Sequence, residues 1–404
     1  AGQDADTEGE EGRYYFWEMK EFLGLLGPRN AKIMARHFGV TSAGHTAKKN
    51  VLYIKESMES IAKLEEIAIF EIDHIFRTSS EALLEARGKR VRPLTDTKII
   101  TGWNGLMITA FASGYIVLHG KNYLDIAIRA AEFLWTNMWG ENGCLLRIYN
   151  NGESKINGCL EDYAYFLEGL ISLYEASFDT LWIERANNLA LKMIDEFYDN
   201  KEGGFFITGI SSERLIARLK NAADEAIPSA NAIAIQSLLK LGYLTGNNSY
   251  IAKAEKSLRG FKGRVDKNPA AFSGLLAGAD LSASSLTEVV FAGLKDHQAF
   301  EDMRDSLNQD YRPNKIVAWN QSDKATNQLL LAKGKPAIDG MPTAYLCQKE
   351  TCYPPVQSGK ALTNLLEMPP EIRLNIFNYE KQIENAQKEE QGKFLGVMDQ
   401  IFKH

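Results

Sequence analysis

The sequence predicts a mainly α fold, an α/α toroid with a small α/β insert near the C-terminus. Three observations predict it. A helix–turn–helix unit recurs three times between residues 104 and 254. In each unit the first helix is apolar on nearly every side and the second on one side only, as inner helices ringed by outer ones are. Near residue 285 the helical texture gives way to strand–helix–strand.

Taken in order, residues 1–17 are acidic and then aromatic. Asp4-Ala5-Asp6-Thr7-Glu8-Gly9-Glu10-Glu11-Gly12 leads into Arg13-Tyr14-Tyr15-Phe16-Trp17, which reads as a short strand. The spacing of Ile61, Leu64, Ile67, Ala68, Ile72, Ile75 and Phe76 predicts a helix within 56–90, ending in the basic run around Arg87, Lys89, Arg90 and Arg92. The repeats then align without gaps, from Asn104 to Tyr123 and Ala127, from Tyr163 to Trp182 and Ala186, and from Asn231 to Tyr250 and Ala254. A short turn precedes each of those aromatics. The links at 139–149 and 201–206 carry Gly and aromatics and suit short hairpins. Segments 288–293, 315–319 and 341–347 read as strands, with a helix at 299–307. After Pro369-Pro370, Lys, Glu and Gln dominate, which predicts a charged surface helix or a tail. The expected domains are therefore 1–284, the toroid with its acidic start; 285–357, the α/β element with a closing C-x4-C; and 358–404, a terminal helical segment and tail.

Composition narrows the function. Lys and Arg number 46 against 52 Asp and Glu, a net charge of −6. That balance argues against a nucleic-acid partner, which calls for a basic stripe. No apolar run approaches the roughly 20 residues that span a bilayer, so no membrane partner is expected. The acidic opening is unlike a secretory signal, and the missing initiator Met points to a processed or partial chain. Four cysteines do not make a disulfide scaffold, so a cytoplasmic location is expected. Asp4, Asp6 and Glu8 resemble the start of a calcium loop, but Tyr15 stands where the bidentate Glu belongs. Cys347 and Cys352 lack the C-x-x-C spacing of zinc and redox sites and read as a pair of thiols. No phosphate loop, dinucleotide fingerprint, nucleophile elbow or zincin motif is present. No metal and no cofactor are expected.

In a toroid the loops entering the inner helices converge on one mouth, so residues far apart in sequence share a pocket. Those positions hold Asp96, Trp103 and Asn104, then Glu161, Asp162 and Tyr163, then Asp224, Glu225, Ser229 and Asn231. Arg147, Arg218 and Lys220 lie in the approaching loops. Aromatic faces stack on sugar rings, and carboxylates and amides bind hydroxyls. Asp162 and Asp224 are the expected acid–base pair. Trp103 and Tyr163 are the expected platforms, with Asp96, Asn104, Glu161, Arg218, Lys220 and Asn231 as binding groups. On this reading Asp162→Asn abolishes turnover and leaves folding intact. The competing reading is that Asp, Asn and Ser ahead of helices are N-caps.

Five segments in order resemble one family. They are 4–17; Arg92-Pro93 through Trp103-Asn104-Gly105-Leu106; Leu160-Glu161-Asp162-Tyr163-Ala164; Arg218 and Lys220 through Asp224 to Pro228-Ser229-Ala230-Asn231; and Gly340 through Cys347 to Cys352. The chain resembles the YyaL type, also called the spermatogenesis-associated thioredoxin-like family, over about residues 1–357. The resemblance implies an (α/α)6 toroid similar to six-hairpin glycosidases and N-acylglucosamine epimerases, preceded in the family by a thioredoxin-like domain that is expected to be missing here. It implies a carbohydrate-processing or carbohydrate-binding protein, glycoside hydrolase-like or sugar epimerase-like if it is an enzyme. The ligand would be a small molecule or an oligosaccharide. The alternative is a non-catalytic client- or glycan-binding module, with a thioredoxin-like domain as partner. Two departures bear on the site: Thr97 stands where the family has the second Asp of D-D-K, and Glu225 replaces a Gly.

Overall fold

The computed structural model describes residues 2–46, 48–213, 215–283, 286–320, 329–348 and 351–368. The tail expected after Pro369 lies outside them. The chain forms two units, Ala1–Lys98 and Ile99–His404.

In the first unit the acidic opening is a hairpin of β1 (Asp6–Thr7) and β2 (Glu10–Glu11), turned by Glu8 and Gly9 at positive φ. The strand expected over 13–17 does not form. Gly12, at φ +74°, bends the chain into a turn, and only Trp17 bridges, to Asn50. The helix expected over 56–90 is two helices, α2 (Met58–Leu64) and α3 (Ile69–Gly88). Glu66 at φ +53° breaks them, a conformation that no helix carries. Helix α1 (Met19–His37), kinked at Gly27-Pro28, packs Phe22 and Met34 with Trp17 and Leu83 in the core.

The second unit holds the three hairpins the repeats predict. They are α4 (Thr101–Leu118) with α5 (Lys121–Asn137), α6 (Leu160–Ser177) with α7 (Leu181–Phe197), and α8 (Ala230–Thr245) with α9 (Asn248–Val265). One device turns all three: the residue capping the inner helix is left-handed, His119, Phe178 and Gly246 in turn. The landmark aromatics begin the outer helices, and Trp182 and Tyr250 are buried there. Helix α10 (Ser273–Ala283) adds a fourth inner helix. The inner helices pack in the order α4, α6, α8, α10. Where α4 crosses α6 the backbones nearly touch: a Cβ on Gly105 would sit 2.5 Å from the Tyr165 carbonyl carbon.

The link ahead of α6 is a hairpin of β4 (Leu146–Asn150) and β5 (Glu153–Asn157), with β3 (Ile99–Ile100) beside β4. The α/β element is a four-stranded sheet in the order β7-β6-β8-β9, made of β6 (Thr287–Ala292), β7 (Lys315–Asn320), β8 (Thr343–Gln348) and β9 (Thr351–Cys352). Strands β6 and β7 are parallel, joined through α11 (Gln298–Asn308), and β8 runs antiparallel to β6. Helix α10 ends at Ala283 and strand β6 begins at Thr287. Helix α12 (Gly359–Glu367) follows the sheet. Cys347 and Cys352 are not free thiols; they face each other across β8 and β9 and form a disulfide. No described helix is long and apolar enough to cross a membrane.

Candidate functional site

The inner helices of the second unit start at one end of the array, and side chains tie those starts together. Asp162, in the first turn of α6, is fully buried. Its Oδ1 accepts the amide of Gly102, which opens α4, at 2.9 Å. Its Oδ2 accepts the amide of Cys159 at 3.0 Å and the Arg147 guanidinium, from β4, at 2.9 Å. Burial raises its pKa, against the pull of Arg147 and of the two amides toward the carboxylate. Burial also pushes the neighbouring Cys159 thiol up to about 12, with Asp162 adding to the effect.

Asp224 does the same work one helix further on. Its Oδ1 accepts the Ser229 amide at 2.8 Å, and its Oδ2 accepts the Ser273 hydroxyl at 2.9 Å and the Gly274 amide at 2.8 Å. It therefore joins the start of α8 to the start of α10. Partial burial works to raise its pKa, but the donors, Gly274 and Ser229 first, bring it below the usual carboxylate range. The expected acid–base pair is thus engaged in holding helix starts, and Asp162 has no exposed atom to offer a ligand.

The other expected residues divide clearly. Tyr163, expected as a platform, is in the core because its hydroxyl accepts the Leu145 amide at 2.7 Å and its ring meets Phe197 edge-on. Asn231, expected as a binding group, is fully buried and clamps Phe205 and Asn221 through three hydrogen bonds of 2.7–2.9 Å. Arg218 and Lys220 hold the link between α7 and α8. Arg218 donates to the Thr208 and Glu196 carbonyls over the Phe206 ring, and Lys220 pairs with Asp199 at 2.6 Å. Asn104 donates to the Ile100 carbonyl at 2.9 Å, within its own helix start. Asp96 belongs to the first unit, exposed and turned onto Lys98.

Trp103, on the first turn of α4, is 50% exposed. Glu161 flanks Asp162 but turns outward, with Arg147 at 3.4 Å. It lines a cleft of about 90 Å³ with Tyr165, Asn221, Glu225 and Ser229. The Tyr165 hydroxyl donates to the Pro228 carbonyl at 2.6 Å, spanning from α6 to the approach of α8. Sequence reasoning missed Tyr165 and Asn221. The four-residue step from Glu161 to Tyr165, one helical turn, was the signal that points to the first.

The first unit has a larger hollow of about 690 Å³ among Glu8, Arg13, Phe16, Lys20, Glu21 and Arg90. Its charges already pair with one another, Arg13 with Glu8 at 3.0 Å and Arg90 with Glu21 at 3.1 Å. Few are left to recognise a ligand. Among the described residues no three His, Cys, Asp or Glu side chains are grouped to hold a metal ion.

No family model matches the chain. Among solved structures it is similar to the α-mannanase of Bacteroides thetaiotaomicron, with 12% identity, 67% of this chain and 85% of that chain covered, and a TM-score of 0.37. It is also similar to cellobiose 2-epimerase of Spirochaeta thermophila, with 16% identity, coverage of 43% and 45%, and a TM-score of 0.36. Among curated proteins, human spermatogenesis-associated protein 20 is 28% identical over 91% of this chain and 51% of its own length. The rat protein of that name is 27% identical with the same coverage, and an uncharacterised Caenorhabditis elegans protein is 27% identical over 90% of this chain and 54% of its own. The chain spans about half the length of these relatives. Along 91% of its length the chain is similar to proteins named spermatogenesis-associated protein 20, consistent with the family its five motifs resemble.

Proposed function

We propose that the gathered helix starts of the second unit form a carbohydrate-binding mouth. The observation that carries this reading is the cleft, where carboxylates (Glu161, Glu225) and an amide (Asn221) converge on one concavity floored by the buried Tyr165 and Ser229. Carboxylates and an amide recognise the hydroxyls of a sugar ring. Trp103, half exposed on the first turn of α4, supplies the aromatic surface of this mouth. Asp162 and Asp224 act as positioning residues, fixing the helix starts that carry the cleft. If sugar chemistry occurs here, Glu161 and Glu225 are the carboxylates available to do it.

The engagement of both expected acids favours a second reading, a non-catalytic glycan- or client-binding module whose chemistry a thioredoxin-like partner would supply. The test is calorimetric titration of the chain with monosaccharides and short oligosaccharides, followed by a turnover assay on whichever binds. Binding that is lost in Glu161→Gln and Trp103→Ala supports the mouth. Turnover selects the enzyme over the module. A folded chain that binds none of the sugars refutes the carbohydrate reading.

A further inference from the structure

We infer that the Cys347–Cys352 disulfide is a redox-exchange site, opened by a dithiol through Cys352, and that its reduction loosens the tip of strand β9. The inference goes beyond the carbohydrate reading and does not depend on it. Cys347 lies on β8 and Cys352 on β9, directly opposite in the antiparallel register. The sheet order β7-β6-β8-β9 puts β9 at an edge, two residues long and paired with β8 alone. The two cysteines differ in access: Cys347 is 1% exposed, whereas Cys352 is only half-buried.

A staple for the fold would be built differently. The cysteines are five positions apart, and a bond that closes so short a loop removes little entropy from the unfolded chain. The unit around it already has an extensive core, of which Leu346 and Tyr353 are part. Disulfides are needed chiefly by small domains that lack such a core. Nor is the chain cross-linked throughout, since Cys144 and Cys159 are free thiols. What this bond holds is the tip of an edge strand. Beyond it the chain has its own anchors on β8. The Tyr353 amide donates to the Leu346 carbonyl at 2.9 Å, and Val356 exchanges two backbone hydrogen bonds with Ala344, at 2.9 and 2.7 Å. Those anchors stay when the sulfurs part, so reduction frees Thr351 and Cys352 while the sheet stands.

Exchange begins when a thiolate reaches one sulfur, and Cys352 is the accessible partner. A thiolate of the dithiol attacks the Cys352 sulfur, the bond to Cys347 breaks, and Cys347 takes up a proton as a thiol. The second thiolate of the dithiol then attacks its own sulfur in the mixed disulfide. Cys352 leaves as a thiol and the reagent departs as a disulfide, so two electrons and two protons pass to the chain.

The experiment treats the folded full chain with dithiothreitol, alkylates the thiols and assigns each by peptide mass spectrometry, with circular dichroism reporting the fold. We expect the disulfide to open while the chain stays folded, and hydrogen exchange to quicken at Gln348, Thr351 and Cys352 but not along β6. With oxidised glutathione, Cys347→Ser should take up one glutathione on Cys352 about tenfold faster than Cys352→Ser takes one up on Cys347, because reactivity follows access. A disulfide that opens only when the chain unfolds overturns the inference and makes the bond a staple. Exchange left unchanged by reduction overturns it too, since the bond then holds nothing. Equal glutathione uptake by the two variants overturns Cys352 as the point of entry. The wild-type reduction decides the matter even where a variant fails to fold.

Discussion

Replacing Asp162 with Ala is expected to unfold the rim of the helix array more than any other single change at the mouth. The side chain is fully buried, and its loss leaves the Gly102 and Cys159 amides without an acceptor and Arg147 without its closest partner. Each orphaned buried amide costs about 1–3 kcal/mol. Breaking a buried pair costs about 3–5 kcal/mol, but the Arg147 side chain is 30% exposed and can turn to Glu161 or to water, which lowers that figure. The net expectation is a loss of about 3 kcal/mol. Denaturant unfolding followed by circular dichroism measures it, and hydrogen exchange across the first turns of α4 and α6 locates it. The Gly102 amide should lose its protection, although it lies 60 residues away in sequence. A loss below about 1 kcal/mol with unchanged protection would refute the view that this carboxylate joins the helix starts. It would restore the role sequence alone suggests, in which the residue serves chemistry and folding is indifferent to it.

Three further outcomes follow from the same geometry. Gly105→Ala should destabilise the chain by about 2 kcal/mol, because the new methyl would meet backbone atoms of Tyr165 and Phe166 at 2.5–2.6 Å, outweighing the gain in helix propensity of about 1 kcal/mol. Gly114→Ala on the same helix meets only the Tyr123 ring at 3.8 Å and should stabilise; paired thermal melts test both. Asp224 has a folded-state pKa below its unfolded value near 3.9, so the stability it contributes is present above that value and lost as pH falls through the folded pKa. Melting temperature against pH should therefore fall less steeply in acid for Asp224→Asn than for the wild type, and parallel curves would refute the assignment.

The hairpins were legible because their signal is local and repeated. Apolar residues at helical spacing, a turn, and one aromatic at a fixed offset describe α4 to α9 without reference to anything distant. Helix α10 escaped because its short, small-residue sequence carries little periodicity. The single helix expected over 56–90 failed at Glu66, since nothing in the residue type marks a left-handed break. The site was legible only to the level of which helix starts meet. Glu161 and Asp162 are neighbours in sequence, yet a helix turns about 100° per residue, so one faces the cleft and the other is sealed behind it. Which of two adjacent acids is reached by a backbone amide 60 residues away is a tertiary fact, and no local pattern encodes it. Tyr163 and Asn231 mislead for the same reason: types suited to binding are equally suited to closing a core hydrogen bond.

The rim divides the work between two sets of residues that share almost no atoms. One set is sealed and ties helix to helix; in the other, Glu161 and Glu225 line the cleft, Trp103 is half exposed on the first turn of α4, and only Glu161 reaches back, to Arg147. Such a separation makes the mouth evolvable. On the proposed carbohydrate reading, substitutions in the outer set would change what is recognised while the inner set keeps its stability, so ligand preference could drift between related chains without the fold having to be rescued each time. The same division marks where an engineer should randomise and where not: a library at the outer three positions would vary the proposed ligand-facing groups at little expense of stability, and one at Asp162 or Asp224 would loosen the helix starts.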